Sequence, residues 1–347
     1  MRHRRQPGFL EASQPLIARL TISNRILLFG LIKRMNLASI TRTCLSVAVL
    51  VPVLLLSFVS RLRSEEPMAK LRVHSNQHLL ADEMGSPFFW LGDTAWEMIH
   101  RLDRDQVVRY LDTRQKQHFN VIQTVILAEF DGLNTPNAYG HTPLIENDPM
   151  RPNVQSSDSN DFWKHVDFVV DHAAKRGMRV ALLPTWGEWV TPRFAKPAIF
   201  QTPSQGYQYG RFLGDRYRDR TNIVWVLGGD RPGDEAPYGR SVWQAMAEGI
   251  ADGTNGESRQ DGNANWSTTL ISYHSMTSSS KWFHQEPWID FHMWGTYHSS
   301  KDWARSCIAR ESKYMIDYRQ QRSYRPDSCD PSARVARLGS DSGFGIE

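Results

Sequence analysis

Residues 221–235, TNIVWVLGGDRPGDE, are the stretch on which the reading of the whole chain turns. Five apolar residues, 223–227, run without a break into Gly228 and Gly229 and then into Asp230 and Arg231. A short apolar run bounded by glycine reads as a strand covered on both faces, as in parallel sheets. In such sheets the loops beyond the C-terminal strand ends carry the chemistry. A carboxylate placed there is a candidate for that chemistry. An Asp that caps the next helix or pairs with Arg231 fits the same letters.

Working outward, the same rhythm recurs on both sides. PFFWLGDTAW (87–96) reads as a short strand ending in Gly92 and Asp93. DRDQVVRYLDTRQKQHF (103–119) has a helical period, with Val107, Tyr110 and Leu111 on one face and Asp103 as its cap. NVIQTVIL (120–127) is rich in β-branched residues and reads as a strand. A long loop rich in Pro, Asn and Gly follows over 128–153. DFWKHVDFVVDHAAKRG (161–177) is then a helix closed by Gly177, and MRVALLPTW (178–186) is the next strand. A helix over 206–219 leads into the opening stretch. Beyond it come a helix (241–253), a strand (268–275), a strand with its loop (288–299) and a helix (302–318).

A strand–helix unit repeated about six times, with connections long enough for right-handed crossovers, means a parallel sheet with outer helices. Both an open doubly wound sheet and a (β/α)8 barrel have that order. No glycine fingerprint opens the first helix, which argues against a dinucleotide fold. Polar or aromatic residues stand at nearly every strand exit: Asp93 and Trp96, Gln123, Trp186, Asp230, then His274, His292 and His298. One cleft fed by many strand ends is what a barrel supplies, so the expected fold is α/β of the TIM-barrel type.

Composition narrows the function classes. Twelve Trp and eleven Tyr are a heavy aromatic load, suited to stacking on the apolar faces of sugar rings and equally to filling a large core. The net charge of +4 gathers much of its excess at the two ends, so no nucleic-acid partner is inferred. The three cysteines, Cys44, Cys307 and Cys329, have neither metal-binding nor disulfide-framework spacing. No metal, cofactor or protein partner is indicated.

The N-terminal region, 1–66, reads as a targeting segment. CLSVAVLVPVLLLSFVS (44–60) is apolar apart from its hydroxyls and thiol, and follows Lys33, Arg34 and Arg42 in the manner of a secretory signal. It is shorter than the roughly 20 residues of a membrane-spanning helix. Met35 would leave a shorter basic region before it than Met1 does. The expectation is export, secreted or periplasmic. Arg61 and Arg63 beyond the run keep an uncleaved membrane anchor through 44–60 open.

Asp93, Trp96, Trp186, Asp230 and Trp294 at one face suggest a carbohydrate cleft. Glycosidases flank the scissile bond with two carboxyls, one a general acid of raised pKa. Burial behind an apolar strand would raise that of Asp230, whereas Arg231 beside it would lower it. Asp93 serves equally as a turn former. The three histidines suit sugar hydroxyls or one another better than a metal.

FFWLGDTAWEMIHRL, NVIQTVIL, GMRVALLPTWG, NIVWVLGGDR and WIDFHMWGTYHS together resemble the apiosidase-like glycoside hydrolases, over about 71–318. The resemblance implies a (β/α)8 barrel, usually followed by a small β-sandwich, acting as a retaining glycosidase on plant or algal cell-wall polysaccharide. It implies Asp230, at the end of the fourth barrel strand, as general acid/base. Asp93, Trp96, Gln123, Trp186, Arg231, His274, His292, Trp294 and His298 are then the expected substrate-binding set.

The chain also departs from that pattern. The family's nucleophile is a Glu at the seventh strand end, in a stretch resembling KPxxDGEPxYE. Residues 319–347 read RQQRSYRPDSCDPSARVARLGSDSGFGIE, with Glu347 as their only glutamate. The expectation is therefore a catalytic barrel over 67–320, truncated after about six βα units, with a disordered or frameshifted tail over 321–347. Such a chain would be inactive. The alternatives are a non-catalytic carbohydrate-binding remnant and a metal-dependent hydrolase using the histidines. Glu129 and Glu188 are the other glutamates at strand ends that could serve as a second carboxylate.

Overall fold

The computed structural model of the protein describes residues 68–295, apart from 156, 193–196 and 236–237. A small antiparallel sheet comes first, of β1 (Leu71–Val73), β2 (Leu80–Asp82) and β3 (Pro87–Phe88). The main sheet has five strands in the order β4-β5-β6-β7-β8, every neighbouring pair parallel. They are β4 (Gly92–Thr94), β5 (Val121–Leu127), β6 (Arg179–Thr185), β7 (Ile223–Gly228) and β8 (Ile271–His274). Sequential order with parallel pairing is the signature of a TIM-type sheet. The described part is a curled half-barrel with helices on its outside.

All seven residues of β5 and all seven of β6 are buried, as a sheet covered on both faces requires. The helices start where their first residues dictate. In α2 (Arg104–Lys116), Asp103 accepts from the Gln106 N–H, while the Gln106 side chain accepts from that of Asp103. The short α1 (Met98–Arg101) precedes it. Asp161 caps α3 (Phe162–Ala174), and Gly177, with φ of 70°, makes the turn that ends it. Thr202 and Gln205 form a second reciprocal cap on α4 (Pro203–Arg216), with Pro203 in the first turn, where its missing N–H costs nothing. α5 (Gly239–Asn255) ends on Gly256 in the left-handed region, and α6 (Ser280–Phe283) is a single turn.

Among the described elements, α4 and α5 pack against each other most extensively. Gly206, Gly210 and Gly214 recur at four-residue spacing on α4, and Gly249 and Gly253 do so on α5. A Cβ on Gly210 would run into the Met246 carbonyl, and one on Gly249 into the Tyr207 carbonyl. The two backbones touch through glycine, because no side chain fits between them. Arg216 bridges outward from α4 to Asp167 of α3 through two bonds of 3.0 and 2.7 Å.

Beneath the sheet, residues 68–70 run across the N-terminal ends of three strands. Thr221 donates to the Met68 carbonyl, Arg179 to that of Ala69, and Lys70 to that of Thr268. Trp90, just before β4, packs at a tilt against Phe291, beyond β8, with ring centroids 5.9 Å apart.

The expected strand over 288–299 is not one in its described part. Residues 288–294 run beside β8, where the Asp290 N–H bonds the Ile271 carbonyl at 2.9 Å. The Ile271 N–H, however, goes to the Asp290 carboxylate at 2.8 Å, so a side chain takes the place of a ladder carbonyl. The helix expected over 302–318, the tail over 321–347 and the apolar run 44–60 lie outside the described residues. Among the described residues no helix is long and apolar enough to cross a membrane.

Candidate active site

Backbone geometry at the end of β7 sets how Asp230 is presented. Gly228, Gly229 and Asp230 have φ values of 94°, 126° and 53°, three successive left-handed residues. A Cβ on Gly228 would strike the His274 carbonyl. One on Gly229 would lie 2.6 Å from the Gly187 nitrogen and 2.8 Å from the Trp186 ring. Only glycine lets the β7 exit lie this close to those of β6 and β8. The reversal then carries Asp230 out of the sheet, and Asp is among the few residues that tolerate the left-handed region.

Asp230 comes to rest over an aromatic floor. Trp96 and Trp186 meet at 5.3 Å, and His274 lies 5.2 Å from the first and 5.8 Å from the second. His274 Nδ1 accepts from the Asp230 backbone N–H at 3.4 Å and stands 3.7 Å from its carboxylate. Four residues from four separate strand exits thus meet: Trp96, Trp186, Asp230 and His274.

Other residues of the expected set stand elsewhere in the structure. Asp93 lies within β4 rather than at its exit, because the strand spans Gly92–Thr94. Its buried carboxylate accepts from Tyr110 at 2.6 Å and pairs with Arg114, both on α2, so it anchors helix to sheet. Gln123 is buried inside β5, beside Thr94, with four further residues of the strand before its end. His292 is buried with its Nδ1 3.0 Å from the Ser279 hydroxyl, and Ser279 also accepts from the Met293 N–H. It secures the turn after β8. Trp294 bridges to Ser278 on the same turn. His298 lies outside the described residues.

Arg231 does not pair with the Asp230 carboxylate. Its guanidinium donates to the Thr191 carbonyl at 3.2 Å and to the Asp230 main-chain carbonyl at 2.9 Å. The expected burial of Asp230 is also corrected: its side chain is 48% exposed, because the glycine turn lifts it clear of the apolar strand.

A partly buried acid, Glu129, stands two residues beyond β5. Burial pushes its carboxyl up to about 7, and the charges of Glu97, Asp230 and Glu188 push the same way against the smaller pull of Arg231. Glu97 was not singled out from sequence, although it directly follows Trp96 in GDTAWE. It accepts from His100 at 2.8 Å and from Arg101 at 3.2 Å, and the first of these bonds holds His100 above its ordinary pKa. Among the described residues, no group of three His, Cys, Asp or Glu side chains is placed to hold a metal ion.

Residues 74–326 match the family model for the apiosidase-like catalytic domain. The chain belongs to this family. Among solved structures, a glycoside hydrolase is 31% identical with a TM-score of 0.55, over 66% of this chain and 46% of its own. A glycoside hydrolase family 5 protein from Bacteroides vulgatus is likewise 31% identical, with a TM-score of 0.54, over 66% of this chain and 45% of its own. The chain spans less than half the length of either. None of the curated proteins matches it. The apiosidase-like family and the half-barrel agree with the expectation drawn from sequence.

Gly229→Ala tests whether the turn sets the apiosidase-like site. Its φ of 126° suits glycine alone, and the added methyl meets the Trp186 ring. The expected result is a shifted tryptophan emission and a melting temperature lower by several degrees, as for about 1–3 kcal/mol of strain. Unchanged emission and melting would show that the turn adapts.

Proposed function

We propose that this protein is a retaining-type glycoside hydrolase domain for plant or algal cell-wall polysaccharide, with Asp230 as its general acid/base. The observation that carries the reading is the Asp230 carboxylate, raised on the glycine turn above Trp96, Trp186 and His274. A sugar ring stacks on indole through its apolar face, and a half-exposed carboxyl beside it can protonate a glycosidic oxygen and then activate water. His274, whose ring nitrogen receives the Asp230 N–H, orients the turn that carries the carboxylate.

A retaining mechanism needs a second carboxylate about 5 Å from the first. The seventh-strand glutamate that the family resemblance implies has no counterpart among residues 319–346. We therefore propose that the 347 residues alone bind glycan without turning it over. The test is to incubate the purified chain with neutral wall oligosaccharides and apiose-containing pectin fragments, measuring binding and released sugar separately. Binding without release is the expected result. Release abolished by Asp230→Asn would show that another glutamate completes the site. Absence of binding by every glycan would overturn the cleft assignment.

Export is proposed as well, on the basic residues followed by the apolar run 44–60. A reporter fused after Pro67 is expected outside the cytoplasmic membrane of a bacterial host, free or anchored. A reporter recovered only from the cytosol would refute it.

A further inference from the structure

Glu97 directly follows Trp96 of the aromatic floor and joins it to the long loop after β5. Its Oε2 lies 2.8 Å from His100 Nδ1 and 3.2 Å from Arg101 Nε. His100 is 3% exposed, and its other ring nitrogen, Nε2, lies 3.0 Å from the Thr135 main-chain carbonyl. Arg101 reaches the same loop, with its guanidinium 6.0 Å from the centre of the Phe130 ring. Thr135 is in turn tied to Asp131, by its N–H to the carbonyl at 2.9 Å and by its hydroxyl to the carboxylate at 3.1 Å. Two neighbouring residues of α1, sharing one carboxylate oxygen, thus grip the turn 129–135 at two points. On that turn Phe130 stands 64% exposed, at the strand exit between those bearing Trp96 and Trp186.

A carboxylate and a peptide carbonyl can only accept hydrogen bonds. Facing one on each nitrogen, the His100 ring satisfies both only as the imidazolium, which donates from Nδ1 and Nε2 together. The Glu97 bond holds its pKa above the ordinary 6.5 against the cost of burial, helped by the Thr135 carbonyl and opposed by the smaller push of Arg101. Of the other elements packed on α1, β5 carries no charged side chain. On α3, Asp167 and Asp171 pair with Arg216 and Arg220, and Lys164 donates to the Asp158 carbonyl. Burial keeps His165 and His172 of that helix below their ordinary pKa.

A neutral His100 ring would have one N–H for two acceptors. The carboxylate is the stronger acceptor, so Nδ1 keeps the proton and the Nε2 lone pair then faces the Thr135 carbonyl. The loop is therefore the side that is released. We propose that His100 is a positioning residue of the cleft: as the imidazolium it fastens the turn 129–135 to the segment that follows Trp96, and it frees that turn on losing its proton. Its consequence for glycan affinity rests on the glycan-binding reading of the cleft, whereas the fastening itself does not.

The sign of the pH dependence follows. His100 binds its proton more tightly folded than unfolded, so the stability it contributes is fully present below 6.5 and is lost as the pH rises through its higher folded value. Loss of a charge-assisted bond should make opening of the turn about tenfold more frequent, or more.

The experiment uses the full chain at pH 6 and pH 9. Histidine-ring NMR gives the His100 midpoint, assigned by the resonance that His100→Gln removes. Hydrogen exchange, corrected for its intrinsic rate, gives the protection of Gly132, Asn134 and Thr135, with the β5 amides as a control for global folding. Mannotetraose is titrated as the glycan probe. The expected result is a His100 midpoint above 6.5 that Glu97→Gln lowers, and turn protection about tenfold smaller at pH 9 with β5 unchanged. In His100→Gln that protection should be low at both conditions. Mannotetraose should weaken between pH 6 and pH 9 by a factor about threefold larger in the parent than in His100→Gln, as affinity follows the fastened fraction. An ordinary His100 midpoint, or turn protection indifferent to pH in the parent, would overturn the fastening even if His100→Gln fails to fold. A pH-dependent turn with the same affinity change in both proteins would overturn the role at the cleft. No mannotetraose binding at either pH, with the turn still pH-dependent, would overturn the glycan-binding reading and leave the fastening in place.

Discussion

Asp230→Asn is expected to cut hydrolysis of an unactivated glycoside by about 10²-fold or more, the usual contribution of a positioned general acid/base. The measurement is made on residues 68–295 joined to a C-terminal half-barrel chosen to carry a glutamate at its seventh strand end. The amide keeps the shape and the left-handed turn of Asp230 but cannot deliver a proton. An activated aryl glycoside, whose leaving group needs little protonation, should lose much less in the glycosylation step. Binding of the oligosaccharide should change little, because the Trp96–Trp186 floor is untouched. Equal activity of the variant on both substrates would remove Asp230 from the mechanism. Equal loss on both would instead point to a distorted turn.

Gly249→Ala is expected to lower stability by about 3 kcal/mol, the upper end of what overpacking a tight contact costs. In a domain of this size that corresponds to a fall in melting temperature of about 6–12 °C. The added methyl is driven into the Tyr207 carbonyl, a backbone atom that can retreat only if α4 moves away from α5. Gly210 and Gly253 hold the same interface closed from the two helices, so the helices cannot tilt around the obstacle without meeting it again. Ser204→Ala on an exposed part of α4 should change stability by less than about 0.5 kcal/mol. Equal melting of Gly249→Ala and the parent would mean that the helices slide past each other freely.

Much of this architecture can be read from local chemistry. The buried strands β5 to β8 announce themselves as apolar, β-branched runs, since a strand covered on both faces has no polar side to show. The caps at Asp103 and Asp161 are equally legible, because a cap is satisfied by a neighbour a few residues away. Their alternation with helices, in parallel order, leads to the half-barrel. The two glycines before Asp230 mark a place where the chain reverses at the end of a buried strand, beside Trp186 and His274. Membership in the apiosidase-like family was legible for the same reason, as the motifs lie at strand exits.

What sequence left undecided is whatever depends on which face a residue takes. Asp93, Gln123 and His292 were assigned to the cleft as strand-exit residues. Position along the chain changes the face or the depth of a side chain: Asp93 turns to α2, Gln123 lies four residues short of its strand end, and His292 meets Ser279 in a segment that is not a strand. Arg231 stood beside Asp230 in the chain, yet its guanidinium found two main-chain carbonyls instead of the carboxylate. The raised pKa of Glu129 arises first from burial and then from Glu97, Asp230 and Glu188, which lie 32, 101 and 59 residues away in sequence. Local pattern determined the strands, the caps and the exposed turn of this protein. Which acid is buried, which cation is already engaged and which glycines let two helices touch were decided only by tertiary structure, because burial and charge act through space and not along the chain.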